Sequence, residues 1–544
     1  MNFSYLTGRS VSIKPGPIQR PNMDVGNKPL HVIIFFAVLI GALGFAAFSI
    51  LQDMHSAGEG PLAVGTFVLL GIALVIALGF EFVNGFRDTA NAVATVIYTR
   101  SLPPLVAVVW SGFWNFLGVA LSTGAVAYSI VTLLPVELIL QAGSNAGYAM
   151  IFALLIAAIV WNLATWAFGI PNSSSHALVG SIMGVGLANQ ILAPAGTATQ
   201  GVDWGQVQKV FSALLFSPAC GFLMAALLLF VMKLLIKNKA LYRAPEGDKP
   251  PPLWIRGLLI FTCTGVSFSH GGNDGQKGMG LIMLILIGAA PTAYALNRAM
   301  PESAMPAFIE SAGHAQQIFA SHGTGTPADL TEQQARDIVG AALRAKAVSS
   351  PEIFGALSVL STDISTSVKT YGSMKAVPAA AVPNVRTDMY LVADAIRVMG
   401  DAQGFTADEK KSLKSFQSSL YSGTRFIPLW VKISVAIALG LGTMVGWKRI
   451  VVTVGEKIGK THMTYAEGAS AELVAMTTIG LAERYGLPVS TTHILSSGVA
   501  GTMWSNGSDL QLSTLRSIAL AWVTTLPAAM AISGFLYVLF RQIF

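Results

Sequence analysis

Asn84-Gly85-Phe86-Arg87-Asp88-Thr89-Ala90-Asn91 is followed, some eighty residues on, by Pro171-Asn172-Ser173-Ser174-Ser175-His176, and the pair then occurs again. The second copy reads His270-Gly271-Gly272-Asn273-Asp274-Gly275-Gln276-Lys277, and later Pro488-Val489-Ser490-Thr491-Thr492-His493. Order and internal spacing match, and every motif lies in or beside a long apolar segment. Carboxylates, amides and clustered hydroxyls are expensive at membrane depth, so they mark a polar pathway through protein. An internal repeat of this kind implies two transport-type halves with a site between them.

The composition agrees. Of 544 residues, 53% are hydrophobic and only 11% charged, against roughly 25% charged in a soluble domain. Many apolar runs reach the roughly 20 residues that span a bilayer. The net charge of +7 is not a nucleic-acid signal, because the basic residues cluster in short loops beside spans. Cys220 and Cys263 are isolated in apolar runs, which excludes a disulfide framework or cysteine metal site. No nucleophile–base or metal-cluster motif of a membrane phosphatase or phosphotransferase is present, so no enzymatic activity is expected.

The expected fold is an all-α polytopic membrane protein. Residues 1–61 form a basic tail and one extra span, 62–232 a first repeat, 233–252 a basic linker, and 253–291 with 428–544 a second repeat. Each repeat has five segments: 62–100, 103–123, 150–168, 172–193 and 208–232, then 253–291, 428–447, 466–483, 490–505 and 515–540. The first segment of each is too long for one straight span at 1.5 Å per residue, and a break or re-entrant turn at the Gly-rich motif is expected. Basic stretches at 233–256 and 448–462 read as cytoplasmic. Five crossings per half then invert the second repeat relative to the first, with both meeting near the bilayer midplane. Residues 292–427 are mixed in charge and read as a soluble insertion, external by crossing parity, with an amphipathic helix from Glu332 to Lys346.

Two kinds of site follow from residue chemistry. Asp88 and Asp274 can ligate Na⁺, a proton or the metal of a metal–anion complex; the bland alternative is a polar staple between helices. Ser173, Ser174 and Ser175, like Ser490, Thr491 and Thr492, follow a Pro and open a helical pattern. That is ordinary capping chemistry, but three hydroxyls exceed what a cap needs. With a helix N-terminus they make an anion site for a tetrahedral oxyanion. His176 and His493 either relay protons or pack as neutral rings. Arg87 and Lys277 either attract an anion or pair with the adjacent aspartates, with pairing favoured. Glu81 and Glu472 are further intramembrane carboxylates, functional candidates by default; Glu467 and Glu483 lie nearer the span ends and read as interfacial.

At these residues the chain resembles the inorganic phosphate transporter (Pit) family, and within it the bacterial low-affinity branch. The family signature is close to Gly-Ala-Asn-Asp-x-Ala-Asn. It is carried here by Gly85 to Asn91 and Gly271 to Lys277, and the longer strings Asn84 to Arg100, Phe268 to Gly280 and Gly455 to Tyr465 look like the bacterial branch. The resemblance covers about 62–291 and 428–540, leaving the span at 31–52 as an addition. It implies symport of inorganic phosphate across the bacterial inner membrane by a homodimer embedded in lipid, with no permanently bound cofactor. The implied cargo is a neutral complex of hydrogenphosphate with a divalent cation such as Mg²⁺. Sulfate on the same scaffold is the competing substrate. The resemblance places phosphate on Asp88, Asn91, Asn273, Asp274 and both hydroxyl triplets, and the cation on Asp88 and Asp274. The coupling proton falls among Asp88, Asp274, Glu472, His176 and His493. Arg87 stands where the signature has Asn, and Gln276-Lys277 where it has Ala-Asn. Family members with the full signature are similar to sodium-coupled transporters, so these losses argue for proton over Na⁺ coupling.

Overall fold

The computed structural model describes residues 20–23, 29–58, 60, 62–134, 138–139, 144–193, 201–323, 330–400 and 404–544, without the side chains of Thr89 and Asn91. The first half comprises helices α1 (Pro29–Ala57), α2 (Val64–Tyr98), α3 (Pro104–Leu121), α4 (Ala125–Val131), α5 (Asn145–Ala167), α6 (Ser174–Ile191) and α7 (Trp204–Leu235). Then come α8 (Leu253–Ala289), α9 (Met305–His322), α10 (Glu332–Ala345), α11 (Pro351–Tyr371), α12 (Val382–Met399) and α13 (Ala407–Thr424). The chain closes with α14 (Leu429–Thr443), α15 (Tyr465–Arg484), α16 (Thr491–Ser505) and α17 (Leu512–Ile543). Among the described residues, six helices (α1, α2, α3, α5, α7 and α17) are long and apolar enough to cross a membrane, and α13–α14, bent by 74°, form a further candidate pair. Their exposed faces carry large apolar side chains such as Phe36, Phe67, Phe113, Leu223 and Val523, as a lipid-facing surface requires. This is a multi-pass membrane protein.

The two halves pack reciprocally. α2 lies against α14 and α8 against α3; α6 lies against α17 and α16 against α7; α2 and α8 meet each other. Glycine sets the closest approaches. A Cβ on Gly85 would collide with the carbonyl of Leu439, and one on Gly442 with that of Phe82. In the other half Gly271 meets the Asn115 carbonyl and Gly118 that of Phe268, at the same three-residue spacings. Gly180 against Leu526, and Gly501 against Phe222, repeat the device. Small residues let backbones approach where lipid offers no hydrophobic drive for helix association.

This packing corrects one expectation. The Gly-rich motifs do not break α2 or α8, which run unbroken through Asp88 and Asp274. Their glycines serve lateral contact, not a bend. The breaks fall just before the hydroxyl triplets. α5 ends at Ala167 and Gly169 takes φ +65°; α15 ends at Arg484 and Gly486 takes φ +65°. Each is followed two residues later by Pro171 or Pro488. The closing hydrogen bonds are also the same: Gly169 N–H to Trp166 O and Ile170 N–H to Thr165 O, against Gly486 N–H to Glu483 O and Leu487 N–H to Ala482 O. A left-handed glycine ends a helix by feeding its last carbonyls, and the proline prevents resumption. Ser173 and Ser490 then cap the next helices by accepting from His176 N–H (3.1 Å) and His493 N–H (3.2 Å). α6 and α16 are consequently short, and most of their residues are buried on every face.

Helices α9–α13 gather around a separate apolar core that includes Phe308, Phe319, Leu360, Met389 and Phe416. The amphipathic stretch is helical from Glu332, capped by a Thr331–Gln334 box. Asp203, the cap of α7, ties this unit to the membrane helices through Lys346 (3.2 Å) and Arg397 (3.0 Å).

Candidate functional site

The starts of α6 and α16 meet the middles of α2 and α8, and four motif segments distant in sequence become one buried polar centre. Asp88 accepts from Ser174 Oγ (2.8 Å) on α6 and from Thr492 Oγ1 (2.7 Å) on α16. Asp274 accepts from Ser174 Oγ (3.5 Å) and Thr491 Oγ1 (3.4 Å). Both hydroxyl triplets therefore converge on both carboxylates. Asp88 is 4% and Asp274 1% exposed, so the centre is closed to solvent in this conformation.

Each carboxylate has its own cation. Arg87 Nη2 lies 3.1 Å from Asp88 Oδ1, and Lys277 Nζ 2.6 Å from Asp274 Oδ1. Pairing, the favoured reading of these two residues, is what the structure contains. Arg87 also donates to Asn162 Oδ1 (2.5 Å) and to the carbonyl of Asn172. With two carboxylates against two cations, the formal charges of the four groups cancel. That makes burial tolerable, since a buried charge needs a partner and hydrogen bonds.

The remaining predicted residues take distinct places. Ser175 donates to the carbonyl of Val489 (2.7 Å) and accepts from Lys277. Asn273 bridges the turn before α16, donating to Leu487 O (3.0 Å) and accepting from Val489 N–H (3.5 Å). The side chain of Asn91 lies outside the described residues. His176 and His493 face each other with ring centroids 4.8 Å apart and planes tilted by 40°, and His493 stacks on Trp522 at 4.0 Å. Glu472 stands apart from the aspartates, accepting from Thr95 and from Thr262 Oγ1 (2.5 Å). Glu81 accepts from the Gly278 N–H (2.7 Å) and Asn84 (3.3 Å), bridging α2 and α8. Glu467 is buried, boxed with Thr464 at the start of α15 and bonded to Asn506, because a helix start needs an acceptor there. Glu483 is half-buried beside Gln276.

Sequence reasoning quoted His270 in the motif but assigned it no role. Its Nδ1 lies 2.6 Å from Asn115 Oδ1, and its Nε2 lies 3.4 Å from Asp274 Oδ2. One ligand atom each from Asp88, His270 and Asp274 fall within 4.8 Å of one another, close enough for the three to hold a metal ion. The signal was available: His270 and Asp274 are four apart on a helix and share a face. Asn162 and Asn172, which hold Arg87, carried no such signal because they lie on other elements.

The four motif segments thus form one buried, charge-balanced centre in which two carboxylates meet two cations and hydroxyl donors from both halves of the chain. Residues 84–533 match the profile of the phosphate transporter family. The low-affinity inorganic phosphate transporter PitA of Escherichia coli K12 is 42% identical over 501 residues, covering 88% of this chain and 98% of its own. PitB of the same strain is 40% identical over 490 residues, with 88% and 97% covered. The probable low-affinity inorganic phosphate transporter of Bacillus subtilis 168 is 27% identical over 479 residues, with 88% and 99% covered. The chain belongs to the phosphate transporter family. A solved structure described as the sodium-dependent phosphate transporter superposes with a TM-score of 0.48 at 22% identity, covering 88% of this chain and 100% of that one.

Proposed function

We propose that the chain is a symporter that imports inorganic phosphate as a neutral complex of hydrogenphosphate with a divalent cation such as Mg²⁺, driven by protons and not by Na⁺. The observation that carries this reading is the convergence of both hydroxyl-bearing helix starts on Asp88 and Asp274. Anion donors and cation ligands are thereby adjacent, as a metal–anion pair requires. Ser174, Thr491 and Thr492 each have one hydroxyl proton, and in this closed conformation each is given to a carboxylate. When cargo enters, its cation takes carboxylate oxygens, assisted by His270. The displaced hydroxyl protons turn to the phosphate oxygens. Backbone N–H groups at the starts of α6 and α16 add positive potential there. Because Arg87 and Lys277 already neutralise the carboxylates, a neutral complex enters without leaving a net charge buried.

The coupling test uses proteoliposomes without sodium, with Mg²⁺ on both sides and an imposed inward-acid gradient. Phosphate accumulates above its starting ratio, and a protonophore collapses it. Accumulation only with an inward sodium gradient refutes proton coupling. Counterflow with sulfate in place of phosphate separates the substrates.

The hydroxyl assignment makes a graded prediction. Ser174→Ala and Thr491→Ala each remove one donor to a charged group. Phosphate binding in detergent weakens about 10- to 150-fold, the equivalent of 1.5–3 kcal/mol. Wild-type affinity in both variants removes the hydroxyls from the site.

A further inference from the structure

Lys277 is fully buried, and its ammonium has three donors. They face three oxygens of three kinds from three parts of the chain: Asp274 Oδ1 (2.6 Å) on α8, Ser175 Oγ (2.5 Å) on α6, and the Val489 carbonyl (3.4 Å) before α16. Ser175 gives its own proton to the same carbonyl, so a lone pair of its oxygen is turned to Nζ. With all three donors engaged, Lys277 has none left for cargo. Carboxylate, hydroxyl and carbonyl oxygens are also the ligands that hard cations select.

The other half contains the counterpart. Arg87 Nη2 meets Asp88 Oδ1 and the carbonyl of Asn172. Asn172 follows Pro171 as Val489 follows Pro488. Each half thus holds one covalently attached cation between its motif carboxylate and the carbonyl just after its motif proline. A compact ammonium on a flexible stem is a point charge, and at position 277 it sits as a bound ion would.

We infer that Lys277 is a tethered cation: its ammonium fills an oxygen-lined pocket with the character of a small monovalent-cation site, bracing α8 against the two hydroxyl-bearing helices without a free ion. The inference rests on reading the aspartate centre as the transport site. It predicts that removing the side chain exposes a site for a small monovalent cation, with Na⁺ or methylammonium able to replace the lost charge.

The test compares wild type, Lys277→Ala and Lys277→Met in choline, sodium and methylammonium chloride. Phosphate uptake into proteoliposomes and the thermal midpoint of the purified protein are both measured. Wild type responds equally to the three salts. Lys277→Ala transports poorly in choline and recovers about tenfold or more in sodium or methylammonium, the scale of restoring hydrogen bonds to a charged group; its midpoint rises with either cation. Lys277→Met, which fills the space without charge, responds to neither in uptake or midpoint. The inference is overturned if Lys277→Ala is indifferent to the cation in both measurements, if Lys277→Met responds equally, or if sodium raises the wild-type midpoint. Should Lys277→Ala not fold, Lys277→Asn carries the same comparison. If Asp88→Asn transports normally, the transport reading fails instead, while the cation-dependent midpoint of Lys277→Ala still reports on the pocket.

Discussion

Replacing Asp88 by Asn abolishes phosphate accumulation. Asp88 receives a hydroxyl from each hydroxyl-bearing helix start and belongs to the three-residue set that can hold the cargo cation. An amide presents one neutral oxygen in place of two anionic ones. Outer-shell changes at metal sites cost about 10–100-fold in affinity, and loss of a ligand itself exceeds that. The substitution also strands the Arg87 guanidinium. Removing one partner of a buried pair costs about 3–5 kcal/mol, here towards the lower end because Asn162 and the Asn172 carbonyl still accept from Arg87. A lowered thermal midpoint therefore accompanies the lost transport. The double variant Arg87→Asn/Asp88→Asn separates the two effects: neutralising both charges restores the midpoint and leaves the protein inactive. Recovery of uptake in the double variant would show that Asp88 serves only to balance Arg87. Asp274→Asn behaves the same way, with Lys277 as the stranded cation.

Gly271→Ala produces the second large effect, on folding. The new methyl meets the carbonyl and backbone of Asn115, which cannot swing aside as a flexible side chain could. Overpacking typically costs about 1–3 kcal/mol and occasionally more, and a backbone obstacle puts this site at the upper end. The α3–α8 contact must open, and His270 and Asp274 move with it. Little folded protein is recovered from the membrane, and what remains transports poorly. Gly44→Ala is the control: in α1 nothing lies within 4 Å of the added Cβ, and Ala is about 0.8–1.0 kcal/mol the better helix former. Equal thermal midpoints for the two variants would show that the close approach is not needed.

The positions of the span candidates α1, α2, α3, α5, α7 and α17 were legible from apolar runs, because bilayer thickness dictates their length, whereas α4 and most of α9–α13 carry no such run. The duplicated Pro-x-hydroxyl motifs announced helix starts, since proline, a cap and a following apolar pattern admit few other structures. The same residues identified the centre, because polar groups are costly in that setting. Periodicity could not distinguish a glycine that bends a helix from one that admits a neighbouring carbonyl, so Asp88 and Asp274 were assigned to breaks that the chain places at Gly169 and Gly486. That choice depends on what lies across the interface, which local sequence does not encode. The role of Asn162 likewise arises only from packing within the first half, and the crossing of Lys277 to Ser175 and the contact of Glu472 with Thr95 only when the two halves interlock. A membrane protein with two polar motif sets follows from the residues alone, through the cost of burying unpaired polar groups. Which of those groups satisfy one another is set by the fold, because partners 404 residues apart, Asp88 and Thr492, are chosen by helix packing and not by neighbourhood along the chain.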